Sequence, residues 1–351
     1  MQRETEKNIL IFFLFVVVFF LLKAMSGILI PLVLALLFAM MFQPLVVWFG
    51  KRNVPHWVVL PVISFMTLVF LFFVSGVFIR TFTDFLSQKD FVFESLHEKF
   101  DSLLLWINNS LGFSVDRRYL TTAVRNVFDK DLLTSTIGST AKGIGSFSAS
   151  FFMFALYFII LLSGMSQYRR YINHISHKKN SGEILEYYEN IQRSISTYIA
   201  VKFVISLVTG SIAGLICVLF GIQFPLFWGL LTFMLNFIPS IGSIIATFPP
   251  FLMAFVQFES LLMPFYVLLS LGVIQIFMGN VIEPVILGDR LRLNTVTVIF
   301  GLVFWGYIWG VPGMLLSVPL LVLMKLVLER SSSFRVFARM MEYPDKKARD
   351  T

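Results

Sequence analysis

Apolar residues run along this chain in blocks long enough to cross a bilayer, separated by short charged punctuation. The blocks fall at 9–22, 24–49, 57–79, 144–162, 199–220, 224–258, 261–282 and 296–324. A membrane-crossing helix needs about 20 mainly apolar residues. Backbone amides in lipid must be satisfied within their own segment, so helices are expected. The expected fold class is all-α: a polytopic membrane protein with about eight hydrophobic segments, repeating at the lengths that rule requires. The first block follows Arg3 and Lys7 like a secretory signal, but a second block begins directly after Lys23. It is therefore read as an uncleaved span.

The polar stretches between blocks carry their own periodicity. Between the third and fourth blocks, Phe93, Leu96, Phe100, Leu103, Ile107 and Leu111 recur at steps of three and four. That spacing places them on one face of an amphipathic helix. Leu120, Val124, Val127 and Phe128 suggest a second such helix. Another stripe, Ile184, Tyr188, Ile191, Ile195 and Tyr198, leads into the fifth block.

Two blocks are too long for one straight span, and both are interrupted. The 224–258 block holds Asn236, Pro239, Ser240, Gly242 and Ser243, then Pro249 and Pro250. The 296–324 block holds Gly306, Gly310, Pro312 and Gly313. Proline removes a helical hydrogen bond and clashes with the preceding turn. Each block is expected to enter the membrane and return to the side it came from. Lys and Arg cluster at Lys51/Arg52, at Arg169 to Arg193 and in the tail, which marks those positions as cytoplasmic. The N- and C-termini are then cytoplasmic, residues 82–143 lie outside, and the two hairpins open to opposite sides. A span plus outward hairpin (199–258) followed by a span plus inward hairpin (261–328) forms an inverted repeat. Interrupted segments in corresponding halves point to a transporter site near the bilayer midplane.

The expected organisation is a scaffold of three spans at 1–81, an extracytoplasmic helical insert at 82–143, and a fourth span with cytoplasmic amphipathic linker at 144–198. A transport core at 199–328 and a basic cytoplasmic tail at 329–351 complete it.

Composition narrows the classes. Of 351 residues, 57% are hydrophobic and 14% charged, against about 25% charged in soluble domains. The net charge of +8 sits where membrane orientation needs it, so a nucleic-acid partner is not expected. The single cysteine, Cys217, provides no disulfide framework or zinc spacing. His174 and His177 are read as solvated loop residues without further ligands.

The chemistry available to the core is mainly neutral. Asn236, Ser240, Ser243, Gln275, Asn280, Asn294, Thr295 and Thr297 are polar without charge. Beside the breaks, they and unwound carbonyls suit a hydroxylated solute or a cation; the same groups also serve helix–helix hydrogen bonding. Glu283 suits either proton exchange or a structural pairing with Arg290 or Arg292. Lys202 and Lys325 are expected to snorkel to the interface. The candidate solute-binding residues are Asn236, Pro239, Ser240, Gly242, Ser243, Gln275, Asn280, Glu283, Pro312 and Gly313. No metal or cofactor is expected. Hydrolase, metalloprotease and phosphate-loop motifs do not occur. Asp289 has no second aspartate in a span to form a proteolytic dyad. With no ATP-driven machinery, the energy source is a gradient or downhill flow.

Three ordered motifs resemble one family. They are Asn236-Phe-Ile-Pro239-Ser-Ile-Gly242, then Asn280-Val-Ile-Glu283-Pro284-Val-Ile-Leu-Gly288 with Leu291-Arg-Leu293, then Gly310-Val-Pro-Gly313 running to Pro319. They are similar to segments of the autoinducer-2 exporters, also called PerM-type permeases, across essentially the whole chain. The resemblance implies a multipass inner-membrane transporter exporting a small polar solute or signalling molecule such as autoinducer-2. Some relatives are described as sodium–proton antiporters, which leaves Na+ or H+ exchange as an alternative and a non-transporting scaffold as a third. Ser240 and Asn294 depart from the family pattern, which often has Tyr and His-Pro there. The expected partners are a small-molecule solute, Na+ or H+, the lipid bilayer and further copies of the chain in a homo-oligomer.

Overall fold

The computed structural model describes residues 2–88, scattered positions from 92 to 102, then 148–165, 181–239, 241–260, 262–287, 293–330 and 335–342. Ser240, His174, His177, Asp289, Arg290, Arg292 and the second amphipathic stripe fall outside them. The architecture is all-α. α1 (Gln2–Ala24), α2 (Ser26–Lys51) and α3 (His56–Ser87) follow one another closely. α4 (Ser148–Met165) and the 39-residue α5 (Ser181–Leu219) come next. The stripe foreseen ahead of the fifth block lies on α5, where Ile195 and Tyr198 are buried.

α6 (Pro225–Leu235) and α7 (Ile241–Gln257) are the shorter apolar helices among the described residues. α8 (Leu262–Phe277) passes through a π-helical turn, Met278–Ile282, into α9 (Glu283–Leu287). The cause of the π turn is Pro284. It has no N–H to offer the carbonyl four residues back, and its ring crowds that carbonyl. The turn widens, and the Glu283 N–H bonds the Met278 carbonyl five residues back. α10 (Thr295–Arg330) is bent at Gly310, and α11 (Arg335–Met340) packs on it.

Six described helices are long and apolar enough to cross a membrane. This is a multi-pass membrane protein. The sixth of them, Thr295–Glu329, is nevertheless not a single rod. Gly310 has φ 65° and ψ −143°, a conformation essentially reserved for glycine. On either side of it the chain folds back: Gly301 lies against Leu321, Gly306 against Met314 and Gly313 against the Trp305 carbonyl. In a straight helix Gly301 and Leu321 would be about 30 Å apart. The second long apolar block is thus a helical hairpin bent at one residue, Gly310. Gly306 and Gly313 permit close approach of its limbs instead of breaking them.

The first long block is a hairpin as well. At 11 and 17 residues, α6 and α7 measure about 16 and 25 Å, short of the roughly 30 Å hydrocarbon core. They pack on each other, and Gly242 is pressed against the Leu235 carbonyl across the bend. Gln257, at the far end of α7, donates to the Gly221 carbonyl at 2.7 Å and accepts from the Gln223 N–H at 3.0 Å. The hairpin therefore ends beside its own beginning. Pro249 and Pro250 lie inside α7 and do not break it.

The chain divides into two compact units. One comprises Met1–Leu68, Ala149–Phe203 and Pro284–Thr351; the other comprises Val69–Ser148 and Val204–Glu283. In the first, α1, α2 and α10 pack mutually, Phe38 meets Phe154, and Phe42 meets Phe158. In the second, the core joins Ala213 and Cys217 of α5, Phe227 and Trp228 of α6, Met253 and Ala254 of α7, and Val267 and Leu271 of α8. Phe78, Phe82 and Phe85 of α3 surround the Phe227 ring at centroid distances of 5.5–5.9 Å.

Candidate functional site

The bend of the first hairpin is built by α5. Hydrophobic force does not drive helices together in lipid, so close packing and interhelical hydrogen bonds must. α5 supplies both. Gly210 and Gly214, spaced as Gly-x-x-x-Gly, meet Gly229 of α6 so closely that a methyl group on Gly210 would stand 2.6 Å from the Gly229 carbonyl. One turn before Gly210, Ser206 is fully buried and accepts a hydrogen bond of 3.0 Å from the Asn236 side-chain amide. Asn236 ends α6 as its C-cap and is itself buried. Sequence reasoning found Asn236 but missed Ser206 and the glycine crossing. The signal was present as small residues at helical spacing within an otherwise bulky block.

After Asn236 the chain turns through Pro239, whose carbonyl accepts the Ile241 N–H at 2.6 Å. Gly242 bonds back to the Ile238 carbonyl at 3.1 Å, and the Ser243 carbonyl accepts the Thr247 hydroxyl at 2.9 Å. The bend is thereby fixed by local bonds on both sides.

Helical rise sets Gln275 level with the start of α7. The buried face of α8 carries Pro264, Val267, Leu271 and Gln275, and this face packs on α7 through Val267 and Leu271 against Met253 and Ala254. The link between α7 and α8 is short. Thirteen residues up α8 from Leu262 reach Gln275; thirteen back along α7 from Gln257 reach Ile244, each about 20 Å of rise. Gln275 Oε1 is buried with no hydrogen-bond partner among the described residues, one of three such side-chain atoms there. The Trp305 indole N–H of the second hairpin is another. A buried acceptor left unmade costs about 1–3 kcal/mol, so native structures seldom retain one without use.

The other candidates are more dispersed. Asn280 lies in the π turn with its side chain exposed, and Glu283 is half-buried at the end of that turn. Pro312 and Gly313 belong to the second hairpin, where they form the first turn of its return limb. Two expectations are overturned. Lys325 does not snorkel: it is buried at 7% exposure and ion-paired to Glu342 at 2.6 Å, with Glu329 at 3.6 Å. Lys202 is buried also. In both cases neighbouring protein covers the side chain. Asn294 does not line a hairpin tip. Its Oδ1 caps α10 by accepting the Thr297 N–H at 2.6 Å.

From 204 to 258 the sequence carries no charged residue at all. The first bend is therefore a neutral place with one amide–hydroxyl pair, and the neighbouring α8 carries an open carboxamide oxygen at Gln275. Among the described residues no cluster suited to a metal ion occurs. The profile of AI-2E family transporters matches residues 8–333. The chain belongs to the AI-2E transporter family. It is similar to the AI-2 transport protein TqsA of Escherichia coli K12, with 29% identity covering 88% of this chain and 87% of that protein. A candidate transport protein of Haemophilus influenzae shares 27% identity over 90% of both chains. One from Borreliella burgdorferi is 34% identical over 54% of each. Together with the multi-pass architecture, this makes the chain a membrane transporter handling a small-molecule solute in the bilayer.

Proposed function

We propose that this transporter exports a small, uncharged, hydroxylated solute of the autoinducer-2 class, by downhill or gradient-driven movement past the first hairpin. The observation that carries the reading is the unsatisfied Gln275 oxygen on α8, the helix packed on the return limb of the hairpin whose bend Asn236 and Ser206 anchor. A solute hydroxyl satisfies a carboxamide oxygen, and the asparagine amide and serine hydroxyl add donors and acceptors of matching strength. The absence of charge from 204 to 258 favours a neutral cargo over an ion. The AI-2 activity in the name of TqsA fits such a cargo.

In this reading the transport core is 199–328. The 1–81 spans and the 82–143 insert act as scaffold and as contacts in a homo-oligomer. The 144–198 segment links them, and the 329–351 tail is cytoplasmic. The protein resides in the inner membrane with both termini inside, as the distribution of Lys and Arg supports. Asn280 and Glu283 border the route, and Pro312 and Gly313 shape the second hairpin.

The test is efflux from proteoliposomes loaded with a panel of small polyols and furanones, with sodium and pH gradients imposed in parallel. Efflux of a neutral polyol that is independent of sodium and pH, and reduced several-fold in Asn236→Ala and Gln275→Leu, supports the proposal. Sodium flux coupled to pH with no polyol movement overturns it.

A further inference from the structure

The second hairpin is held at its open end by the chain's own tail. Its entrance limb starts at Thr295, and its return limb contains Lys325 and Glu329. Residues 335–342 bind both limbs. On the entrance side, the Asn294 N–H donates to the Met341 carbonyl at 2.8 Å. Its side-chain amide donates to the Met340 carbonyl at 2.6 Å and the Glu342 carbonyl at 3.3 Å. Leu293 and Glu342 pair as an isolated antiparallel β-bridge. On the return side, the Glu342 carboxylate pairs with Lys325 at 2.6 Å, and the Arg335 side chain reaches the Glu329 carbonyl at 3.4 Å. Ala338 of α11 is fully buried against this base. Residue 342 thus contacts both limbs at once, its backbone fastened to the entrance and its carboxylate to the return.

The chemistry makes the attachment costly to undo. Lys325 is buried, and loss of Glu342 removes the shorter of the two ion pairs described for it, the other being to Glu329. Only the lysine of this pair is buried, Glu342 being 29% exposed; removing the partner of a buried cation is destabilising, whereas replacing both by apolar groups is often neutral. Asn294 serves two purposes with one side chain, capping the entrance limb through Oδ1 and gripping the tail through Nδ2. Releasing the tail therefore loosens the cap as well.

We propose that residues 335–342 are a strap that sets the separation of the two limbs of the second hairpin, with Asn294, Lys325 and Glu342 as positioning residues for its movement in transport. The functional half of this statement rests on the reading that the chain moves a solute; the structural half does not. The test uses the full chain carrying Cys217→Ser, with spin labels at Ile299→Cys and Val327→Cys, exposed positions on opposite limbs. In lipid nanodiscs the parent gives one narrow inter-label distance. Glu342→Leu and Asn294→Ala each broaden the distribution toward longer distances, and polyol efflux falls several-fold in both. Adding Lys325→Met to Glu342→Leu restores the narrow distance and the efflux, which loss of an unrelated packing contact would not do.

A narrow distance retained in both single variants overturns the strap, whatever efflux does. Broadening with efflux unchanged overturns its role in transport. If the parent itself moves no solute, the proposed function falls, and the distance measurement still decides whether the strap sets the limb spacing.

Discussion

The Asn236 amide donates to the Ser206 hydroxyl oxygen across 3.0 Å, tying the last turn of α6 to the middle of α5 where neither meets water. Such bonds between membrane helices average about 0.6 kcal/mol, with the best near 1.7 kcal/mol. Asn236→Ala and Ser206→Ala are each expected to destabilise the protein by about 1 kcal/mol, and the double variant by little more than either. A double-mutant cycle on thermal unfolding in detergent measures this. Additive losses would show that the two side chains act separately.

A second prediction concerns the crossing beneath that bond. Gly210, Gly214 and Gly229 let α5 and α6 touch backbone to backbone. Gly229→Leu puts a side chain where the Gly210 carbonyl and Gly214 Cα already stand. Overpacking of this kind costs about 1–3 kcal/mol or more. The expected result is a lower unfolding temperature and poor recovery of monodisperse protein. Gly272→Ala, whose added methyl group would meet open space, is the control and is expected to behave as the parent.

At the second hairpin the bend depends on Gly310. An alanine there must hold φ near 65° with ψ near −143°, at a cost of about 1–3 kcal/mol. Gly310→Ala is expected to raise the protease sensitivity of the hairpin and lower transport. Pro312→Ala removes a residue that already fits the first turn of the return limb and is expected to be far milder. Equal effects of the two would place the break at the proline after all.

These contrasts mark what the sequence made legible. Both hairpins were readable because Pro and Gly interrupt blocks too long for one span, and the 236–242 break was readable almost to the residue. The second break was not, because Gly306, Gly310, Pro312 and Gly313 are equivalent as breakers until a φ angle separates them. Asn294 and Lys325 were misread for another reason. Their partners lie at 340–342, and pairings over that separation leave no periodic trace. The π turn at Met278–Ile282 follows from Pro284, yet a proline in that position kinks or ends a helix as readily as it widens one.

Gln275 offers the sharpest separation of stability from transport. Its Oε1 is buried with no partner among the described residues, so the folded state carries the cost of an unmade hydrogen bond, about 1–3 kcal/mol. Leucine is close in volume and presents no polar atom to the face formed by Pro264, Val267 and Leu271. Gln275→Leu is therefore expected to unfold at a higher temperature than the parent while exporting solute several-fold more slowly. Gln275→Glu keeps the acceptor but brings a charge into a neutral site. It is expected to lose both stability and export at neutral pH, since an unpaired buried carboxylate is far costlier than a carboxamide. Unfolding temperature and efflux, measured on the same preparations, decide the matter. If Gln275→Leu is less stable than the parent, the oxygen has a structural partner and this residue leaves the candidate site. If it is more stable and transports normally, the oxygen is idle, and Asn236 with Ser206 must recognise the solute without it.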